Sequence, residues 1–162
     1  MNRQDAKNAK NAKGLQEPSQ RADELARQVI GAAVEVHRHL GPGFLESVYE
    51  EALAVELRLR KVSFLRQHPV AVLYKDCRVG DARPDLLVDD ELVVEIKAVE
   101  RLAPVHTAQV ISYLKALDIR LGLLLNFKVG LLKQGIQRVV LSRHNQPKLG
   151  DLGVLAVEND AA

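Results

Sequence analysis

The sequence predicts one α/β (α+β) domain in which helices flank a mixed sheet, with the element order ααβββαββ. Three observations predict this class. Two stretches with apolar residues at three- and four-residue steps come first, a region with strand-like patterning follows, and a third helical stretch precedes the last two apolar runs. The chain has 162 residues, 47% of them apolar and 27% charged, which is typical of a single globular domain with its own core.

Two helices open the predicted domain. The first begins near Ser19 or Asp23, either of which is a suitable cap, and ends at the glycine-proline-glycine turn 41–43. Its apolar residues recur at helical steps: Leu25, Val29, Ala32, Ala33, Val36 and Leu40. The second helix runs from about 45 to 61, and the short turn predicts that the two helices fold back on each other. Its apolar residues on one face are Val48, Ala52, Val55 and Leu59.

Strand patterns begin near Val62 and are predicted to form an antiparallel meander. The predicted strands are 68–74, a return strand that starts at 78–80 after a turn at 75–77, and then 84–88 and 92–98. Pro104 fits the first turn of a third helix, about 104–118. We expect its inward residues to be Val105, Ala108, Ile111, Leu114 and Leu117. Two more strands, 121–127 and 136–141, complete the sheet, and the first is apolar enough to be buried.

The two ends of the chain are predicted to lie outside this domain. Residues 5–13 repeat alanine, lysine and asparagine without an apolar face, which predicts a disordered basic tail over 1–20. The domain then spans 21–142, and 143–162 forms a weakly structured tail. The basic tail is either an electrostatic tether to nucleic acid or an inert leader.

Charge and cysteine content exclude several classes of protein. Residues 1–21 carry five basic and two acidic residues, which leaves 18 basic and 19 acidic of the chain's 23 and 21 for the remainder. Nucleic-acid binding must therefore rest on a local patch or on the tail. One cysteine excludes a disulfide within the chain and a cysteine-cluster zinc site. No apolar run approaches the ~20 residues that cross a membrane, and the N-terminus has no apolar signal core, so we expect a cytoplasmic protein.

Charged residues interrupt the hairpin of strands 84–88 and 92–98. If residues 89–91 form a three-residue loop, Asp85 stands directly opposite Glu95. One face of the hairpin is then wholly apolar: Leu86, Val88, Leu92, Val94 and Ile96. A two-residue loop would mix polar and apolar residues on both faces, so the three-residue loop is favoured.

The facing carboxylates require an explanation, because like charges about 5 Å apart destabilise a strand pair. Either a cation lies between Asp85 and Glu95, or one of the two stays protonated. Two carboxylate ligands with room for water and phosphate suit Mg²⁺ or Mn²⁺, and Lys97 on the same face is suited to serve the attacking water. In the alternative interpretation, Lys97 neutralises one acid and the group has only a structural role.

Several motifs together resemble a known group of enzymes. Pro84-Asp85 followed by Glu95-Ile96-Lys97 resembles the core hairpin of the PD-(D/E)XK nuclease superfamily, and residues 43–49 resemble the signature of its GxxExxY family. The segments that carry this resemblance are GPGFLESVYEEAL, RPDLLV, VVEIKAVE, PVHTAQVISYLKAL and GLLLNF. The resemblance as a whole covers about Leu25 to Val140. The resemblance implies a restriction-endonuclease-like core and a Mg²⁺- or Mn²⁺-dependent nuclease that acts on DNA.

The resemblance also implies roles for individual residues. Asp85 and Glu95 would hold the metal, Lys97 would serve the water, and Glu46 would be a third catalytic carboxylate and metal ligand. Alternatively, Glu46 only favours the helix N-terminus through the helix dipole. Tyr49 is expected to pack beside the site.

Three further residues are candidates for the site. Gln109 and Tyr113 resemble the Q-x-x-x-Y motif of RecB-type nucleases, where such residues approach DNA, or they form a polar edge beside the helix core. They are four residues apart and therefore share one helix face. Gln67 is a weaker candidate for the same region.

Three functions remain open at this stage. The first is a metal-dependent phosphodiesterase acting on DNA. The second is a non-catalytic module with a nuclease fold that binds nucleic acid or a protein partner. The third is hydrolysis of a nucleotide or other small phosphate. A homodimer is expected for a small nuclease that cuts two strands.

Overall fold

The computed structural model describes residues 17–142 and has a five-stranded sheet with helices on both faces. The helices are α1 (Gln20–Leu40), α2 (Glu46–Leu59) and α3 (Pro104–Leu117), and a 3₁₀ turn covers Leu132–Gly135. The strands are β1 (Phe64–Arg66), β2 (Val70–Tyr74), β3 (Cys77–Ala82), β4 (Leu86–Val88), β5 (Leu92–Lys97), β6 (Leu121–Asn126) and β7 (Ile136–Val140). The sheet order is β1-β4-β5-β6-β7, in which only β5 and β6 run parallel.

The predicted fold class is confirmed, although five strands lie between α2 and α3, where the predicted element order has three and the predicted segments number four. Strand β1 was not predicted, and β2 pairs only with β3 in a separate two-stranded sheet. The predicted continuous meander is therefore wrong. The chain leaves the main sheet at Gln67, whose φ of 50° is in the left-handed region, and the hairpin that follows is exposed apart from its base. The predicted tails lie outside the described residues, except for 17–20.

Helix α1 has the predicted boundaries and buried face. The Ser19 hydroxyl accepts a hydrogen bond from the Ala22 amide at 3.0 Å, which caps the helix start. At the other end, Gly41 has a φ of 70° and donates its amide to the His37 carbonyl, a conformation that glycine adopts at low cost. The buried residues include Leu25, Val29, Ala32, Ala33 and Val36, which pack on one face of the sheet.

Helix α2 does not bury the apolar face that the sequence pattern suggests. It buries Tyr49, Leu53, Ala54 and Leu57. By contrast, Val48, Val55 and Leu59 are 38%, 48% and 72% exposed, respectively. The rotation of the helix follows from Tyr49, whose ring stacks on Phe127 with centroids 4.5 Å apart.

Helix α3 covers the opposite face of the sheet. Leu114 is buried as predicted, and Ile111 and Leu117 pack partly buried against the same cluster. Val105 and Ala108 were predicted to face inward and are exposed instead, because the helix is seated through Val110, Tyr113 and Leu114. Gly122 in β6 permits this seating, since a side chain there would collide with Val110. The position of the glycine thus selects the buried face of the helix.

The register of the β4–β5 hairpin is the predicted one. Leu86 pairs with Val94, Leu87 with Val93 and Val88 with Leu92 around a three-residue loop. The predicted apolar face is buried and packs with α1 and α2. The opposite face is buried as well, because Leu87 and Val93 lie under α3. The charged end of this hairpin is therefore embedded between two helical layers.

Within residues 17–142, no helix is long and apolar enough to cross a membrane.

The orientation of α2 can be tested with two leucines on opposite sides of the helix. Leu57→Ala is expected to lower the free energy of unfolding by about 2–5 kcal/mol, because it leaves a cavity in the core. Leu59→Ala is the matched control and should change it by no more than about 0.5 kcal/mol. Urea unfolding at low protein concentration measures both. Equal losses for the two variants would contradict the observed rotation.

Candidate active site

Asp85 lies where the β2–β3 hairpin returns to the main sheet, immediately before β4. Its Oδ2 accepts a hydrogen bond from the Ile96 amide at 2.7 Å, and its Oδ1 accepts one from Gln67 Nε2 at 2.9 Å. The register of β4 and β5 continues one step further to place Asp85 opposite Glu95. The backbone of β5 thus fixes one carboxylate next to the other.

Glu95 is a buried acid with an unusual environment. It is 4% exposed, and its Oε2 is the buried side-chain oxygen or nitrogen that has no hydrogen-bond partner among the described residues. Burial and, secondarily, the negative charge of Asp85 raise the pKa of Glu95 from 4.5 to about 9. Without a bound cation, Glu95 therefore carries a proton at neutral pH.

Lys97 is the nearest cation to Glu95, with its Nζ 3.9 Å from Glu95 Oε1. The lysine side chain is 15% exposed, so it lies at the edge of the buried site. This ion pair is long, and the pKa of Glu95 remains raised in spite of the lysine charge. The charge of Lys97 therefore offsets only part of the effect of burial on the Glu95 carboxyl group.

Glu46 reaches the same end of β5 from the first turn of α2. Its Oε1 accepts a hydrogen bond from the Ala98 amide at a long 3.4 Å. The structure does not gather Glu46, Asp85 and Glu95 into one cluster: among residues 17–142, no group of three His, Cys, Asp or Glu side chains could hold a metal ion by itself. The role of Glu46 as a third ligand stays a prediction.

Tyr49 holds the turn that presents Glu46. Its hydroxyl donates to the Gly41 carbonyl and accepts from the Phe44 amide at 3.1 Å. The residue is fully buried and stacks on Phe127, which directly follows β6. The predicted packing role of Tyr49 is confirmed, and through it the α1–α2 turn is joined to the sheet beside the site.

Gln109 and Tyr113 contact each other on the helix that covers the site. Gln109 Nε2 donates to the Tyr113 hydroxyl at 2.8 Å. Burial and the nearby charges of Glu95 and, more weakly, Asp85 raise the pKa of Tyr113. The phenol is therefore within electrostatic reach of both carboxyl groups. Substrate contact by this pair stays a prediction.

Gln67 is more closely connected to the site than the sequence indicated. Besides the hydrogen bond from its side chain to Asp85, the backbone amide of Gln67 donates to the backbone carbonyl of Asp85 at 3.1 Å. The backbone carbonyl of Gln67 accepts a hydrogen bond from the Arg83 guanidinium. Its side chain also reaches Glu50 at 3.1 Å. These contacts hold Gln67, a non-glycine residue with positive φ, directly beside Asp85.

Asn126 was missed by the sequence analysis. This buried amide accepts from the Val99 amide at 3.0 Å and donates to the Val99 carbonyl at 2.8 Å, and it pairs with Lys97 in the parallel register. It thus fixes the chain where β5 leaves the site. The available signal was a single polar residue in the apolar run 121–127, at the carboxyl end of a parallel strand.

The two facing carboxyl groups fit a divalent cation. The Asp85 oxygens accept hydrogen bonds from Gln67 and from the Ile96 amide, and Glu95 Oε2 is buried without a hydrogen-bond partner among the described residues. Mg²⁺ is typically bound through one or two carboxylates, with water and substrate phosphate completing its shell. The residues present therefore suit Mg²⁺ or Mn²⁺ without requiring a third protein ligand.

Comparison with known proteins agrees with this geometry. A family model described as PD-(D/E)XK nuclease superfamily matches residues 23–139. The match spans most of the chain, which therefore belongs to this superfamily, and the superfamily suggests a nuclease. PD-(D/E)XK nucleases generally use divalent metals. No curated protein and no solved structure matches the chain.

The proton on Glu95 predicts how the stability of the metal-free protein depends on pH. Between pH 4.5 and about 9 the folded chain holds a proton on Glu95 that the unfolded chain releases, so this stability contribution is full below 4.5 and falls as pH rises towards 9. Glu95→Gln lacks this dependence. Melting temperatures measured in chelator should therefore fall more steeply over this range in the wild type than in Glu95→Gln.

Asp90→Asn in the exposed loop of the same hairpin is the control and should keep the wild-type pH dependence. Parallel curves for the wild type and Glu95→Gln would show that Glu95 does not carry this proton.

Proposed function

We propose that this chain is a Mg²⁺- or Mn²⁺-dependent nuclease that hydrolyses phosphodiester bonds of DNA, and that it belongs to the GxxExxY branch of its superfamily. The observation that carries the proposal is the unpartnered, buried Glu95 Oε2 beside Asp85. Burying a carboxyl group without a hydrogen-bond partner lowers the stability of the fold, and such groups are typical of functional sites.

In this proposal, Asp85 and Glu95 hold the metal, and Glu95 gives up its proton when the metal binds. Glu46 is the third ligand, completing the site when substrate is present. A bound divalent cation supplies charge stabilisation at the phosphate and lowers the pKa of the attacking water. Lys97 lies within 4 Å of Glu95 and orients that water.

The surroundings of the site support an anionic substrate. Arg83 donates to the Gln67 carbonyl, and Lys97 lies in the site. These cations are local, as the near-neutral charge of the domain requires. Gln109 and Tyr113 are proposed to contact the DNA. We also infer a cytoplasmic location, which agrees with the exposed Cys77 as the chain's one cysteine.

The decisive experiment is a Mg²⁺-dependent cleavage assay on single- and double-stranded DNA, with RNA in parallel. Asp85→Asn, Glu95→Gln and Lys97→Ala should each lower the rate by at least about 100-fold, because each removes a group from the reacting centre. Asp90→Asn removes the same charge as Asp85→Asn, but from the loop of the same hairpin, and should keep the wild-type rate.

Cleavage that persists in all three site variants would contradict the assignment of the site. DNA binding that weakens steeply with salt, without cleavage and without any effect of Mg²⁺, would instead support the non-catalytic module. Turnover of a small phosphodiester without DNA cleavage would contradict the choice of DNA as the substrate.

A further inference from the structure

An apolar stripe runs along the outer side of α2, and the fold leaves it exposed except at Ala52, which is partly buried against the core. Its helical members are Val48, Ala52, Val55 and Leu59, at steps of four, three and four residues. Leu59 is 72% exposed and Val55 48%, and Leu45, which directly precedes the helix, extends the line with 77% exposure. Alternating three- and four-residue steps are the spacing with which one helix packs along another.

Within the described part of the chain, Val48, Val55 and Leu59 of this stripe remain exposed. The core contacts of α2 come from the other side of the helix, through Tyr49, Leu53 and Leu57. Scattered apolar residues on a surface are ordinary, but a continuous line along one helix is typical of a contact surface. The pattern that suggested a core face therefore describes a second apolar face of the same helix.

The charges beside the stripe distinguish between antiparallel and parallel packing of two copies of α2. Glu51 and Arg58 lie on the same flank, seven residues apart. When two copies of this helix pack antiparallel, Glu51 of each copy meets the partner's Arg58, so both contacts join opposite charges. When they pack parallel, Glu51 meets the partner's Glu56, which is repulsive.

Both flanking residues remain accessible for such contacts. The Glu51 side chain is 61% exposed although it pairs with Arg66 at 2.7 Å. Arg58 is exposed, and its guanidinium lies 5.6 Å from the centre of the Phe64 ring. Glu56 is already paired with Arg60 at 2.8 Å.

We propose that the α2 stripe is the contact surface of a homodimer in which two copies of α2 pack antiparallel about a two-fold axis. The surface is self-complementary, as a two-fold interface requires: apolar residues meet apolar residues, and each Glu51 meets an arginine. The proposal does not depend on the nuclease activity, because it uses no residue of the metal site.

The expected dimer is reversible. A 14-residue helix is about 21 Å long, so a single pair of such helices lies at the lower end of the ~1,200–2,000 Å² that stable interfaces bury. We therefore expect a dissociation constant in the micromolar range, roughly 1–100 μM.

Sedimentation velocity over a concentration series tests the surface. The full-length wild type should shift from monomer to dimer as its concentration rises. Leu59→Glu should weaken the dimer at least about tenfold, because it places a charge in the apolar seam. Leu131→Glu is the matched control: Leu131 is 66% exposed but lies far along the chain from α2, and this variant should dimerise as the wild type does.

A mixing experiment tests the antiparallel pairing itself. Glu51→Arg places arginine against the partner's Arg58, and Arg58→Glu places glutamate against the partner's Glu51, so each variant alone should be mainly monomeric. In an equimolar mixture both contacts again join opposite charges, and a heterodimer should form. Melting temperatures close to that of the wild type verify that each variant is folded.

Three results would overturn the proposal. The first is a wild type that stays monomeric up to about 100 μM, as it would if another part of its own chain covered the stripe. The second is a dimer that Leu59→Glu leaves unchanged. The third is a mixture of the two charge variants that dimerises no better than either variant alone.

Discussion

The opposition of two carboxyl groups at the end of the β4–β5 pair is the constraint on which the site depends. Asp85 is fixed by the Ile96 amide of the facing strand, and Glu95 is buried beneath α3, so neither can move away to solvent. The lysine at 3.9 Å does not relieve the conflict. Two states resolve it, a proton on Glu95 or a cation between the groups, and the second is the state that the proposed nuclease mechanism uses.

The surrounding elements hold this arrangement from three directions. Gln67 ties the β2–β3 hairpin to Asp85, so the exposed hairpin begins and ends at the site. Tyr49 stacks on Phe127 and holds the turn before Glu46, which connects α2 to the end of β6. Neighbouring Asn126 fixes the chain after β5. The contacts of Gln67, Tyr49 and Asn126 therefore join the elements around the two carboxyl groups into one connected structure.

Patterns in the sequence predicted the features that depend on residues close to one another along the chain. The β4–β5 register followed from a two-residue period and one clean apolar face, and the ends of α1 followed from Ser19 and Gly41. The buried face of α2 did not, because this helix has two apolar stripes, and Tyr49 chooses between them through a contact with the distant Phe127. Asn126 was missed for the same reason, since its partner Val99 lies 27 residues away.

We expect metal binding and loss of the Glu95 proton to be one event, which titration calorimetry measures directly. Mn²⁺ is titrated into the wild type at pH 7 in two buffers of different ionisation enthalpy, and the difference in heat gives the protons released. Release of about one proton per ion, absent in Glu95→Gln, is the predicted result. Binding without proton release, or unchanged binding by an Asp85→Asn/Glu95→Gln variant, would contradict the account.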